Sequence, residues 1–228
     1  MSGVGSLSVL LLSLGLSSLS VASTRSLLER MSPKMRARRR AERAHLTPIA
    51  QITSGSIVKV VGRVTLAEPP LEAPFSGRPC AHFEASVATR QPRGFRPRAS
   101  VRETKSFWLR DDSGRVFVDA QCSVIEVLHD HLWTVSDLDP EERFALERAL
   151  YQNGPRWSRL LAMKDSLRYS EGALIEDDVV TVVGLATITH DPTLAHYRDV
   201  PRRLSLIAPP ADLFGGGHVF ISDAMHLD

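Results

Sequence analysis

Ile57-Val-Lys-Val-Val-Gly-Arg-Val-Thr-Leu66 and its echo Asp178-Val-Val-Thr-Val-Val-Gly184 decide the fold class. Both are dense in β-branched residues, which lose little on a pleated surface and crowd a helix. Each carries valines up to a glycine (Gly62, Gly184) and continues into another apolar segment. In a strand such a glycine marks a bulge or a sharp bend. Both stretches therefore read as strongly curved strands. Between them, Ala81-His-Phe-Glu-Ala-Ser-Val87 alternates, with Ala81, Phe83, Ala85 and Val87 on one face and His82, Glu84 and Ser86 on the other. That is the period of a half-buried strand. Phe107-Trp-Leu-Arg110 and Val116-Phe-Val-Asp119 flank Asp111-Asp-Ser-Gly114, whose residues suit a tight reversal. Arg203–Ala208 and Val219–Ile221 are expected as short final strands, and Gly215–Gly217 as a turn.

One helix interrupts this pattern. Asp139 caps, Pro140 takes the first helical position, and Glu142 completes a capping box. Asn153-Gly154-Pro155 stops the helix. Phe144, Ala145 and Ala149 are expected on its core side, with Leu146 and Leu150 as further candidates. The stretch 90–102, rich in Arg, Pro and Gly, reads as an exposed connection. Short strands with one inserted helix make a mainly β (α+β) domain. The expected architecture is a small curved antiparallel barrel or sandwich, with an OB-like barrel as one form of it.

Met1–Thr24 carry no charged side chain, whereas residues 25–43 carry eight basic and two acidic ones. The apolar run approaches the roughly 20 residues that span a bilayer, although six serines between Ser6 and Ser20 dilute it. A cleaved signal peptide would want basic residues ahead of the run, and a buried core helix would want a polar face. A single-pass anchor over 1–24 fits better. A basic helical or disordered tether over 25–50 and a β-rich domain over 51–224 follow. The basic block after the run places the N-terminus outside and the domain in the cytoplasm. Arg36, Arg38, Arg39 and Arg40 are the expected contacts to anionic headgroups.

The same block is not a nucleic-acid signature. Residues 25–43 contribute +6 to a chain whose net charge is +2, so the remainder sums to −4. A duplex-binding domain keeps positive charge on the fold, and nucleic acid is not an expected partner on this count. Trp108, Trp133 and Trp157 have no interleaved basic residues of the kind found in single-strand readers.

No catalytic constellation is evident. His129-Asp130-His131 would place two imidazoles on one strand face, but no third ligand has a suitable spacing, so no metal and no cofactor is expected. His190, Asp191 and His196 are candidates for acid–base work without a marked nucleophile. Glu176-Asp177-Asp178 and Asp111-Asp112 read as turn chemistry, and the arginines of 90–102 as a solvated loop. Two cysteines, Cys80 and Cys122, form no framework; they pair only in an oxidising compartment.

Four segments in order carry a resemblance. They are Glu72-Ala-Pro-Phe-Ser-Gly-Arg-Pro-Cys80, Phe107–Val118, Tyr169-Ser-Glu-Gly-Ala-Leu-Ile-Glu-Asp-Asp-Val-Val-Thr-Val-Val-Gly184, and Val219-Phe-Ile-Ser-Asp223. Together they resemble the GIDE-type ("beside a membrane") domain, found in membrane-anchored RING ubiquitin ligases of mitochondria and plastids and in RING-less bacterial proteins. The resemblance covers roughly 52–223. Its motif positions fall here on Pro74, Gly77, Cys80, Asp111, Gly114, Glu171 and Gly184. It implies a membrane-adjacent β domain and, in the ligases, ubiquitin transfer by a zinc-binding RING. With two cysteines these 228 residues hold no RING. A ligase role would therefore need a RING in trans; the expected function is non-catalytic binding of a protein partner or ligand beside the bilayer, with an OB-like nucleic-acid-binding module as the other alternative. In the mitochondrial relatives the domain lies outside, in the intermembrane space. The charge argument places it inside and is followed here, because it uses this chain's own residues.

Overall fold

The computed structural model describes residues 33–134, 138–152, 154–160, 167–191, 202–210 and 217–223. The apolar run lies outside them, as do Gly215 and Gly216. Among the described residues no helix is long and apolar enough to cross a membrane.

The described strands are β1 (Ile57–Thr65), β2 (Leu71–Glu72), β3 (Pro79–Gln91), β4 (Gly94–Thr104), β5 (Phe107–Asp111), β6 (Gly114–Val118), β7 (Ser123–Glu126), β8 (His131–Thr134), β9 (Leu167–Ile175), β10 (Val179–His190), β11 (Arg202–Ile207) and β12 (Val219–Ser222). The helices are α1 (Pro33–Arg43), α2 (Pro140–Gln152) and the single turn α3 (Pro155–Ser158). The chain is mainly β.

Five strands close into a barrel in the order β1-β5-β6-β11-β10 and back to β1. Inward residues alternate along each strand. Val58, Val60, Val64, Phe107, Leu109, Val116, Val118, Val182 and Leu206 are buried in one cluster. Each such side chain contributes roughly 1.5–3 kcal/mol on leaving water. The ring is not wholly antiparallel, because β6 and β11 run parallel. Gly62 and Gly184 do not mark bulges: β1 and β10 pair in unbroken register from Ile57↔Leu185 to Arg63↔Val179. Both mark close approach instead. A Cβ on Gly62 would lie 2.6 Å from the Arg110 carbonyl oxygen, and one on Gly184 3.1 Å from that of Ile207. Closing so small a ring brings backbones together where β1 meets β5 and β10 meets β11.

A second sheet grows out of the barrel's connections, with β3 at its centre, β2 and β4 on one side, and β9 then β8 on the other. The stretch expected as an exposed connection, 90–102, is largely strand: β4 pairs with β3 from His82↔Thr104 to Gln91↔Gly94. Its side chains are mostly exposed, which hid the strand, and Pro97 is tolerated on an edge that donates no ladder bond there. Two described helices, α2 and α3, occupy the insertion where one was expected. α2 covers the sheet through Leu146, Ala149 and Leu150, whereas Phe144 is 68 % exposed and is not a core residue.

The stretch expected as a tether is helical from Pro33 to Arg43. Ala37 and Ala41, four residues apart on one stripe, are buried against Val183 and Phe220. The arginines expected to meet headgroups divide accordingly. Arg36 and Arg40 are half-buried, and Arg40 donates to the His218 carbonyl at 3.5 Å. Arg38 reaches Glu42 at 3.5 Å and Glu126 at 3.9 Å, while Arg39 is exposed.

Candidate functional site

The turn Ala73–Arg78 is closed by two backbone bonds, Gly77 N–H to Ala73 O and Ala73 N–H to Arg78 O, both 2.9 Å. Gly77 sits at φ 67°, a conformation that costs glycine nothing and other residues 1 kcal/mol or so. A side chain from β9 holds the turn's apex. The Glu171 carboxylate, with no exposed surface, accepts the Phe75 N–H at 2.7 Å and the Ser76 N–H at 3.2 Å. Arg78 approaches the same carboxylate to 3.9 Å and donates twice to Asp130, at 2.7 and 3.2 Å. The Asp130 hydrogen bonds raise the Arg78 pKa above its ordinary value. Partial burial works upward on Asp130 itself, but the Arg78 guanidinium outweighs it and holds that carboxyl low. Turn, β9 and the start of β8 are thereby tied across nearly a hundred residues of chain.

This frame positions Phe75. Its ring meets Trp157 edge-on at 6.1 Å and Tyr169 at 5.7 Å. Burial, and secondarily Glu147, pushes the Tyr169 phenol above its usual range, so it stays protonated. Phe75 and Ser76 then form one wall of a cleft of about 560 Å³, completed by His131 and Trp133 from β8 and by Leu138, Glu141 and Leu146. The His131 and Trp133 rings stack at 4.9 Å, 3° from parallel. An apolar cavity of this size with a hydroxyl, an imidazole and a carboxylate at its walls has the make-up of a binding pocket. Among the described residues β8 pairs with β9 alone, so the cleft adjoins a sheet edge.

The other sequence candidates lie elsewhere. His129 and His131 do not share a face. His131 lines the cleft, whereas His129 lines a groove on the opposite side and places Nδ1 3.2 Å from Ser170 Oγ. His129 precedes β8, so the two-residue period does not reach it. Among the described residues no group of three or more His, Cys, Asp or Glu is placed to hold a metal ion. His190 is exposed at the end of β10; Asp191 is buried 3.6 Å from Arg203; His196 lies outside the described residues.

The seven motif positions do not converge on one site. Pro74 and Gly77 lie in the turn that Glu171 pins, and none of the three is among the residues lining the cleft. Cys80 is buried on β3, and desolvation first, then Glu171, pushes its thiol up to about 11. Cys122 is exposed, and both cysteines are free. Asp111 closes the β5–β6 hairpin: Oδ1 accepts Ser113 N–H at 2.7 Å and Gly114 N–H at 2.9 Å. Its Oδ2 accepts Ile49 N–H at 2.8 Å, fastening the segment after α1 to the barrel. Burial works upward on this carboxyl, but these donors, Ile49 first, hold it below its ordinary value. Gly114 leaves room for Ile49, whose Cγ2 would lie 3.3 Å from an added Cβ. Gly184 serves barrel closure. Phe75, Trp133, Leu138 and Leu146 were not singled out as a site from the sequence. They lie far apart in the chain, and no local period links them. A comparison of the chain with protein-family models, with curated proteins and with solved structures finds no match.

Proposed function

We propose that this chain is a non-catalytic binding module held beside a membrane by its N-terminal residues, and that its cleft takes an extended peptide segment of a partner protein. The observation that carries the reading is the juxtaposition of the aromatic cleft with the β8 edge. An added strand would bond to β8, and alternate side chains would fall to opposite faces. One face offers Phe75, Trp133, Leu138 and Leu146; the other offers the groove with Leu132 and Phe95. The preferred segment is therefore extended, with a large apolar residue directed into the cleft.

The resemblance to GIDE-type domains supports the membrane-adjacent role, and the basic residues of α1 support contact with anionic headgroups. The charge order supports N-terminus out, domain in the cytoplasm. The barrel is proposed as OB-like on its five-strand ring and the crossover that joins β6 to β11. Selection from a displayed random-peptide library against the full chain in detergent tests the reading, with calorimetry on the selected peptides. Peptides rich in a large apolar residue should bind and should lose at least tenfold in affinity to Trp133→Ala. Peptides indifferent to Trp133→Ala and Leu146→Glu would overturn it.

A further inference from the structure

The outer face of the barrel carries a second cluster, assembled from three distant segments. On β5 and β6, Phe107, Leu109, Val116 and Val118 point inward and are fully buried. By alternation Trp108, Arg110, Arg115 and Phe117 point outward. Register sets Trp108 opposite Phe117, Arg110 opposite Arg115, and Arg63 of β1 opposite Arg110. The parallel seam brings β11 alongside, with Ser205 opposite Phe117. The Trp108 and Phe117 rings meet edge-on at 5.2 Å. Arg203 lays its guanidinium 3.4 Å from the Phe117 ring centre, and Arg115 lies 4.7 Å over Trp108.

Two of the four arginines on this face are matched by carboxylates. Arg110 pairs with Asp177, and Arg203 with the buried Asp191 at 3.6 Å. Arg63 donates to a backbone carbonyl, at Asp177. Among the described residues neither Arg63 nor Arg115 has a carboxylate at ion-pair distance. The basic residues interleaved with aromatics, absent along the chain, are thus present across four strands. The net charge of −4 outside residues 25–43 is a sum over the chain and does not register a local cluster.

We propose that this face binds single-stranded nucleic acid. Flat guanidinium and aromatic surfaces stack exposed bases, and Arg63 and Arg115 meet the phosphates between them. A duplex hides its base faces and would gain only the phosphate contacts. An anionic peptide would use the arginines and leave the rings idle. A lipid surface would instead engage α1, whose basic residues lie on a separate element.

The test is fluorescence anisotropy of a labelled dT oligonucleotide with the full chain in neutral detergent micelles, at 50 and 200 mM salt. Binding should weaken with salt and exceed that of a duplex of equal length. Trp108→Ala should weaken it at least fivefold, as should the fully surface change Arg115→Glu, while Arg39→Ala on α1 leaves it within twofold. Trp108 emission should be quenched by the oligonucleotide. Four results would overturn the proposal. They are no binding at 50 mM salt, equal affinity for duplex, indifference to Arg115→Glu with the variant folded by circular dichroism, or loss of binding on Arg39→Ala.

Discussion

Glu171→Ala should be the most damaging single change in the second sheet. The carboxylate is wholly buried and accepts two amide protons at the apex of the turn, at 2.7 and 3.2 Å. Its removal leaves the part-buried Phe75 and Ser76 N–H groups without their acceptor. Each costs about 1–3 kcal/mol. Arg78 keeps its two bonds to Asp130, so the lost ion pair at 3.9 Å adds less. The expected total is about 2–6 kcal/mol, the sum for two donors left unsatisfied. Glu171→Gln keeps one carbonyl acceptor but turns an amide NH2 toward the second N–H, and should cost about half as much. Urea unfolding followed by tryptophan emission reads both variants, as midpoint shifts at constant slope. Because the turn carries Phe75 and Ser76 into the cleft, affinity for a selected peptide should fall before global stability is exhausted. A loss under about 1 kcal/mol for Glu171→Ala, or a Gln variant no better than Ala, would refute the pinned-turn argument.

Burial holds the His82 imidazole, 3 % exposed and 2.7 Å from Thr104 Oγ1, down at about 4 against an ordinary 6.5. The unfolded chain therefore binds a proton between these values that the folded chain refuses. Stability is intact above pH 6.5 and falls as pH drops toward 4, by about 3 kcal/mol in all, and His82→Gln should flatten that slope in pH-dependent unfolding. Gly62→Ala must place a methyl 2.6 Å from the Arg110 oxygen and should cost about 1–3 kcal/mol by thermal or urea unfolding, without any change in peptide specificity. Ala41→Glu drives a carboxylate into the fully buried contact with Phe220 and should free α1 from the barrel, read as new proteolytic cleavage within 33–48 while the barrel survives. Under native conditions at pH 8 iodoacetamide should label Cys122 and spare Cys80, whose thiol is buried and raised to about 11; mass spectrometry counts the adducts.

The barrel's strands were legible because their signals are local, whereas closure into a ring rather than a sandwich was left open. β-branched runs at 57–66 and 178–184, and the Asp111–Gly114 reversal, each specify an element from adjacent residues. The β5–β6 hairpin accordingly falls where the turn chemistry puts it, with Asp111 accepting the N–H groups that the turn would leave unpaired. The strand β4 was not legible, since an edge strand with solvated arginines and a proline shows neither alternation nor β-branched density. Glycine at 62 and 184 was expected at a bulge or sharp bend; no bulge is present, and the constraint is a neighbouring backbone, which sequence does not reveal. α1 was read by its charge alone. Its two buried alanines are too small to announce a packed stripe among so many arginines. The cleft was not legible as a site: Phe75 and Ser76 fall within a quoted segment, while Trp133 and Leu146 come from other parts of the chain and meet Phe75 only through the fold. The arginine–aromatic face was invisible for the same reason, its members lying at 63, 108–117 and 203.

Amide hydrogen exchange on the full chain, with and without a library-selected peptide, tests the binding account most directly. Strand addition should slow exchange at His131–Thr134 and at the Phe75–Ser76 apex, leaving β5 and β6 unchanged. Protection confined to α1 or to the barrel face, with β8 exchanging as fast as in the free protein, would contradict it.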